Sequence, residues 1–154
     1  ENNINYIKIL RRAISSLCKS VNIIITLANA DALGTLYRNL AFELAKSFPN
    51  NITVINSFGK EKYFAAIKAS KFLMGNTSSG IIEAASFKKF FLNVGNRQLG
   101  RLKSENVIDI PFDYDLIIEK SISLLDSQCF NGVNVYAQKN TCEKIINKIL
   151  NYNK

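Results

Sequence analysis

The sequence predicts an α/β domain with a doubly wound parallel sheet, and three observations predict it. Short apolar runs rich in β-branched residues alternate about five times with segments of helical apolar period, the pattern of parallel strands joined by right-handed helical crossovers. The 154 residues are the length of one ordinary domain. Hydrophobic residues make up 47% of them, enough for a packed core rather than a disordered chain.

Each element has its own warrant. Ile4, Ile7, Leu10, Ile14 and Leu17 fall at helical spacing over 4–17. Val21–Leu27 is a continuous apolar run, as in a buried parallel strand. Leu33, Leu36, Leu40 and Leu44 restore the helical period over 32–48, and Pro49 stops it. Ile52–Ile55 reads as the second strand and Lys60–Ala69 as a helix with Tyr63, Phe64 and Ile67 on one face. Phe72–Met74 is the third strand, Gly80–Phe87 a helix, Phe90–Val94 the fourth strand and Val107–Ile110 the fifth, closed by Pro111. Leu116–Leu125 and Thr141–Leu150 are the last helices. In the second of these Cys142, Ile145, Ile146 and Ile149 form one apolar stripe, expected to face the core.

Composition removes several function classes. Histidine is absent, which excludes within this chain any Ser-His-Asp triad, Cys-His dyad or His-ligated metal. Cys18, Cys129 and Cys142 form no CxxC pair and lack zinc spacing, so mostly buried free thiols are expected. No apolar run approaches the 18–20 or so residues that span a bilayer, and no leader pattern opens the chain. The reading is a soluble, cytoplasmic protein. Met74 is the only methionine and Glu1 comes first, which reads as a fragment or processed product. Lys and Arg number 20 against 12 Asp and Glu, a net charge of +8 that favours anionic partners in general.

In a doubly wound sheet, ligands sit beyond the carboxyl ends of the strands. Functional residues are therefore expected in the loops after Leu27, Ile55, Met74 and Val94. The loop Gly75-Asn76-Thr77-Ser78-Ser79-Gly80 combines small residues, which let a backbone approach a ligand, with three hydroxyls. It suits a helix cap and a phosphate equally. It is neither a Walker loop nor a GxGxxG fingerprint. Glu83 follows, able to favour the helix dipole or to accept from the paired hydroxyls of a ribose. The loop Gly95–Lys103 sets Arg97, Arg101 and Lys103 beside Gly95 and Gly100, a composition that suits an anion. Asn29 and Asp31, after the first strand, are turn or cap residues on their own showing. Three polar loops at one sheet edge, two of them suited to phosphate, point to a nucleotide or nucleotide sugar.

At the same residues the chain resembles a known family. GNTSSGIIEA (75–84), SF (86–87) and NVGNRQLGRLKSENVIDI (93–110) are similar to the carboxyl-terminal half of the hydrolysing UDP-N-acetylglucosamine 2-epimerases, which feed sialic-acid and related pathways. The likeness extends over ANADALG (28–34) and SFGKEKYFAAIKAS (57–70), and so over roughly residues 20–150. It departs from the family pattern at Lys88-Lys89-Phe90, around Ala137-Gln138-Lys139 and at Ala28.

The resemblance implies one Rossmann-like half of a glycosyltransferase-B-type enzyme, with residues 1–20 as a hinge helix and 21–154 as the UDP-binding domain. Thr77 and Ser78 would bind the diphosphate, Glu83 the ribose hydroxyls, and Arg97 would sit beside the diphosphate as a cation. The backbone around Phe58 would meet the uracil, and Asn29 would lie at the edge of the nucleotide site. The family's acid/base carboxylates and a histidine belong to the amino-terminal domain, so no catalytic residue is expected in this chain and no activity from it alone. No cofactor or metal is implied. The implied partners are UDP or a UDP-sugar, the amino-terminal domain and a second copy in a homo-oligomer, with no nucleic acid and no membrane. Two rival readings are the donor-binding domain of a glycosyltransferase of the same build and a basic nucleic-acid module. The latter rests on charge alone and lacks an aromatic-interleaved basic patch.

Overall fold

The computed structural model describes residues 2–27 and 34–152. In chain order they form α1 (Asn2–Leu17), β1 (Ile23–Thr26), α2 (Gly34–Ser47), β2 (Ile52–Ile55), α3 (Gly59–Ala69), β3 (Leu73–Gly75) and α4 (Ser78–Glu83). There follow a 3-10 turn (Ala84–Phe87), β4 (Phe91–Val94), β5 (Val107–Ile110), α5 (Tyr114–Asp126) and α6 (Thr141–Leu150). The predicted alternation holds. Every strand pair is parallel: β1 on β2 in register Ile23 to Ile52, β3 on β4 from Leu73 to Phe91, and β4 on β5 from Phe91 to Val107.

Hydrogen bonding divides the strands into a two-stranded sheet, β1-β2, and a three-stranded sheet, β3-β4-β5, where the sequence suggested one. Packing joins them instead. Leu10 and Ile23 touch both the cluster of Ala13, Leu17, Leu92, Val94, Ile110, Ile117 and Leu124 and the cluster of Cys18, Leu40, Leu44 and Ile52. Helix α1, read from sequence as a hinge, contributes Ala13 and Leu17 to the interior, Cys18 follows it there, and the helix packs against α2 and α5.

β4 is the centre. Leu92 and Val94 face α1 and α5, while Phe91 lies on the other face against Ile81 and Ala84. Gly80 makes that second contact: a Cβ there would stand 2.4 Å from the Phe91 ring. The residue that sequence reading assigned to a phosphate-facing backbone thus also lets α4 lie close on β4. Helix α5 starts where Asp113 accepts a hydrogen bond from the Leu116 N–H at 2.9 Å.

Two expectations fail. The apolar stripe of α6 does not face the core: the helix has no buried residue, and Ile145, Ile146, Ile149 and Leu150 are all exposed. Helical periodicity shows that one face is apolar but not that the domain itself supplies a cover. The thiols are not mostly buried either. Cys18 is interior, but Cys129 and Cys142 are exposed because they lie on the segment after α5 and on α6. No helix among the described residues is long and apolar enough to cross a membrane.

Candidate functional site

An open cleft of roughly 1280 Å³ lies beyond the carboxyl ends of the strands. Three of the four predicted loops reach it, with Asn56 to Gly59 after β2, Gly75 to Thr77 at the end of β3, and Asn96 and Arg97 after β4. Thr26 and Leu27 at the end of β1 also line it, while the predicted loop that follows Leu27 lies outside the described residues. Parallel strands put all their carboxyl ends on one edge, which is why loops far apart in sequence meet there.

The loop after β3 turns sharply into α4. Thr77 is extended at the helix start, and its Oγ1 accepts from the Ser79 N–H at 3.0 Å. Of the hydroxyls that could have capped the helix, Thr77 does so. Ser79 Oγ donates to Glu83 Oε2 at 2.5 Å, one helical turn on. Having spent its proton there, Ser79 can only accept from Tyr63 Oη, 2.5 Å away, so the phenol donates. Burial above all, together with the Glu83 charge, raises the Tyr63 pKa and keeps this donor protonated, the hydrogen bond shared with Ser79 offsetting part of the rise. The relay Tyr63 to Ser79 to Glu83 fixes one carboxylate oxygen of Glu83. Its other oxygen accepts from no described residue.

The loop after β4 leaves Gly95 at φ +90°, with the Phe112 ring where a Cβ would be. It carries Arg97 to the cleft, where it pairs with no described residue. Among the described residues that line the cleft, Lys60 and Arg97 are cations without an ion pair, and Glu83 is the one carboxylate. Uneven charge of this kind in a concave site favours an anionic ligand. Among the described residues no cluster of His, Cys, Asp and Glu could hold a metal.

Of the residues singled out from sequence, Phe58, Thr77, Glu83 and Arg97 line this cleft together. Ser78 is exposed in the first turn of α4 and is not part of the lining. Asn29 lies outside the described residues. Sequence reasoning missed Tyr63 and Gln98. Tyr63 was visible only as an apolar position on a helix face, although its hydroxyl was a signal. Gln98 is buried and donates to the Asn76 carbonyl at 2.7 Å, and only its place between two arginines marked it.

The fold and the cleft define a Rossmann-like α/β half of the glycosyltransferase-B build, with a cationic edge. The chain belongs to the UDP-N-acetylglucosamine 2-epimerase family, whose sequence model matches residues 1–150. It is 36% identical over 115 residues to the GDP/UDP-N,N'-diacetylbacillosamine 2-epimerase (hydrolyzing) of Campylobacter jejuni, covering 74% of this chain and 30% of that protein. It is 32% identical over 130 residues to the UDP-N,N'-diacetylbacillosamine 2-epimerase (hydrolyzing) of Legionella pneumophila, covering 84% of this chain and 34% of that protein. The chain therefore spans about a third of the length of these curated relatives.

Proposed function

We propose that this chain is the UDP-binding half of a hydrolysing UDP-sugar 2-epimerase. The observation that carries the reading is the cleft at the strand ends, where among the described residues Lys60 and Arg97 stand without ion pairs and Glu83 is held with one oxygen unused, in a chain of this family. Thr77, in the lining, gives the diphosphate a hydroxyl hydrogen bond, Ser78 is the second proposed contact from the exposed first turn of α4, and Arg97 supplies a positive charge. Glu83 accepts from the ribose hydroxyls. The backbone around Phe58 meets the uracil, and Asn29 is proposed at the edge of the nucleotide site.

The reaction eliminates UDP from the sugar to leave a glycal. Water then adds to give the free 2-epimerised sugar. As the sugar–oxygen bond breaks, negative charge grows on the diphosphate, and preorganised donors lower the barrier by meeting it there. The work of this chain is to bind and orient the nucleotide and to hold that charge. The groups that move protons on the sugar lie in the amino-terminal domain, joined through α1, so the isolated chain turns nothing over. Names of the two relatives support a diacetylated bacillosamine as the sugar, with N-acetylglucosamine as the second substrate to test. The setting is the cytoplasm.

The test incubates the intact protein, and separately this 154-residue chain, with UDP-N-acetylglucosamine and UDP-N,N'-diacetylbacillosamine. UDP and the free sugar are followed by NMR. The reading expects equal release of UDP and 2-epimerised sugar from one of the two substrates by the intact protein alone. Release from neither, or turnover by the isolated chain, contradicts it.

A further inference from the structure

We propose that Gln98 is a positioning residue that splints the loop after β4 onto the loop after β3, so that Arg97 and Thr77 act on one diphosphate. This rests on the nucleotide reading above. The first observation is an inversion of ordinary burial. Gln98 is 4% exposed, while the adjacent Leu99 is 80% exposed. An amide has taken the interior place and left the apolar side chain in water, against the usual preference of both.

The second observation is what the buried amide does. Its Nε2 donates to the Asn76 carbonyl at 2.7 Å. Because the partner is a carbonyl, the amide cannot be turned round, and its Oε1 is left buried with no partner among the described residues. A buried acceptor without a donor costs free energy that a leucine at the same place would avoid. The fold keeps the amide nonetheless, and the one bond it makes joins two loops.

The third observation is where that bond falls. Asn76 precedes Thr77, the cap of α4, and Gln98 follows Arg97. Each end of the splint is therefore next in sequence to a group assigned to the diphosphate. The ends of the loop are fixed by Gly95 N–H to the Ile110 carbonyl at 2.8 Å, by Tyr136 Oη to the Leu102 carbonyl at 2.8 Å and by Lys103 to Asp109 at 2.6 Å. Between them, with Gly95 at φ +90° and Gly100 at φ +80°, the bonds other than that of Gln98 are local: Leu99 N–H to Asn96 O at 3.0 Å and Arg101 N–H to Gln98 O at 3.3 Å. Those shape the turn but do not aim it. Arg97, with no partner of its own among the described residues, takes its direction from the residue beside it. Gln98 does not line the cleft, so it acts through Arg97 and not on the ligand.

The experiment uses the intact protein with Gln98→Leu, which keeps the volume, and Gln98→Met as a second, more adaptable variant, each checked for native thermal unfolding. Dissociation constants are measured for UDP and for uridine, which lacks phosphate. The expected result is a weakening of about tenfold for UDP, the worth of one charge-assisted hydrogen bond misplaced, with uridine unchanged. In an Arg97→Ala background the Gln98 substitution should have no further effect on UDP, because both act through one contact. Equal loss for UDP and uridine, an unchanged UDP constant, or additive losses in the double variant would overturn the proposal. If the unsubstituted protein fails to bind UDP, the nucleotide reading falls and this proposal with it. Binding that both variants leave intact removes only the splint.

Discussion

Strands β4 and β1 look alike in sequence, Phe-Leu-Asn-Val against Ile-Ile-Ile-Thr, yet they meet different fates. β4 is buried at every position, whereas β1 alternates half-buried and exposed, with Ile24 56% exposed. β4 has a neighbour on each side and helices on both faces, whereas β1 hydrogen-bonds to β2 alone. Apolarity states what a strand could bury, and topology decides how much it does bury. The contrast extends to the loops. The three-stranded sheet is cross-braced by side-chain amides: Asn106 to the Lys89 carbonyl at 2.8 Å at the amino ends of β5 and β4, Asn93 of β4 to Asp109 of β5 at 2.6 Å, and Gln98 to the Asn76 carbonyl at 2.7 Å between the loops after β4 and β3. The residues assigned to the diphosphate sit on this braced side.

Phe91→Ala should break the comparison most severely. The ring is fully buried between β4 and α4, and its loss should cost about 3–5 kcal/mol in urea unfolding. Ile24→Ala on the open face of β1 should stay within about 0.5 kcal/mol. Similar losses at the two positions would mean that β1 is covered as well as β4. Gly80→Ala comes next. The new methyl would meet the immobile Phe91 ring, and overpacking of that kind costs about 1–3 kcal/mol. Gly100→Ala, with open space around its Cβ, should cost less despite the positive φ.

A smaller effect is expected at Asp109. Burial raises its pKa, but hydrogen bonds from Lys103 and Asn93 and the Lys103 charge outweigh burial and hold the carboxyl below its ordinary value. A native pKa below the unfolded one gives stability that is complete above the unfolded value and is lost as pH falls through the native one. Asp109→Asn should therefore lower the urea midpoint at pH 7, where the carboxylate's contribution is complete, and flatten the fall below about pH 4, so that the gap to the unsubstituted protein closes in acid. A slope identical to that of the unsubstituted protein would show that this brace does not titrate with folding. The smallest effect belongs to the ion pair of Arg11 and Glu43 between α1 and α2, half-exposed at both ends. Arg11→Ala should cost under about 1 kcal/mol and less in high salt.

Much of the fold was legible because its signals are local. β2, β5 and α6 begin and end where apolar runs, Pro111 and helical period put them, and the other elements shift by a few residues. The convergence of the three described loops, after β2, β3 and β4, followed from parallel topology alone. What was not legible depends on partners distant in sequence. The stripe of α6 reads the same whether covered or not, and only the fold shows it uncovered. The division of the sheet arises from which strand edges hydrogen-bond, which apolar runs do not specify. In the candidate site, Thr77, Glu83 and Arg97 carried charge or hydroxyls in glycine-bearing loops and could be picked out. Tyr63 and Gln98 could not, because their roles depend on a hydroxyl 16 residues away and a carbonyl 22 residues away.

The central claim is that the braced edge of this chain holds a nucleotide diphosphate. Its most direct test is a UDP titration of the intact protein followed by amide NMR, with Arg97→Ala and Glu83→Gln in parallel. The account predicts saturable shifts in residues 75–83 and 95–101, weakened by both substitutions in protein that remains folded. Absence of shifts in those two loops at several times about 1 mM UDP, the scale of a weak site near −4 kcal/mol, would contradict it.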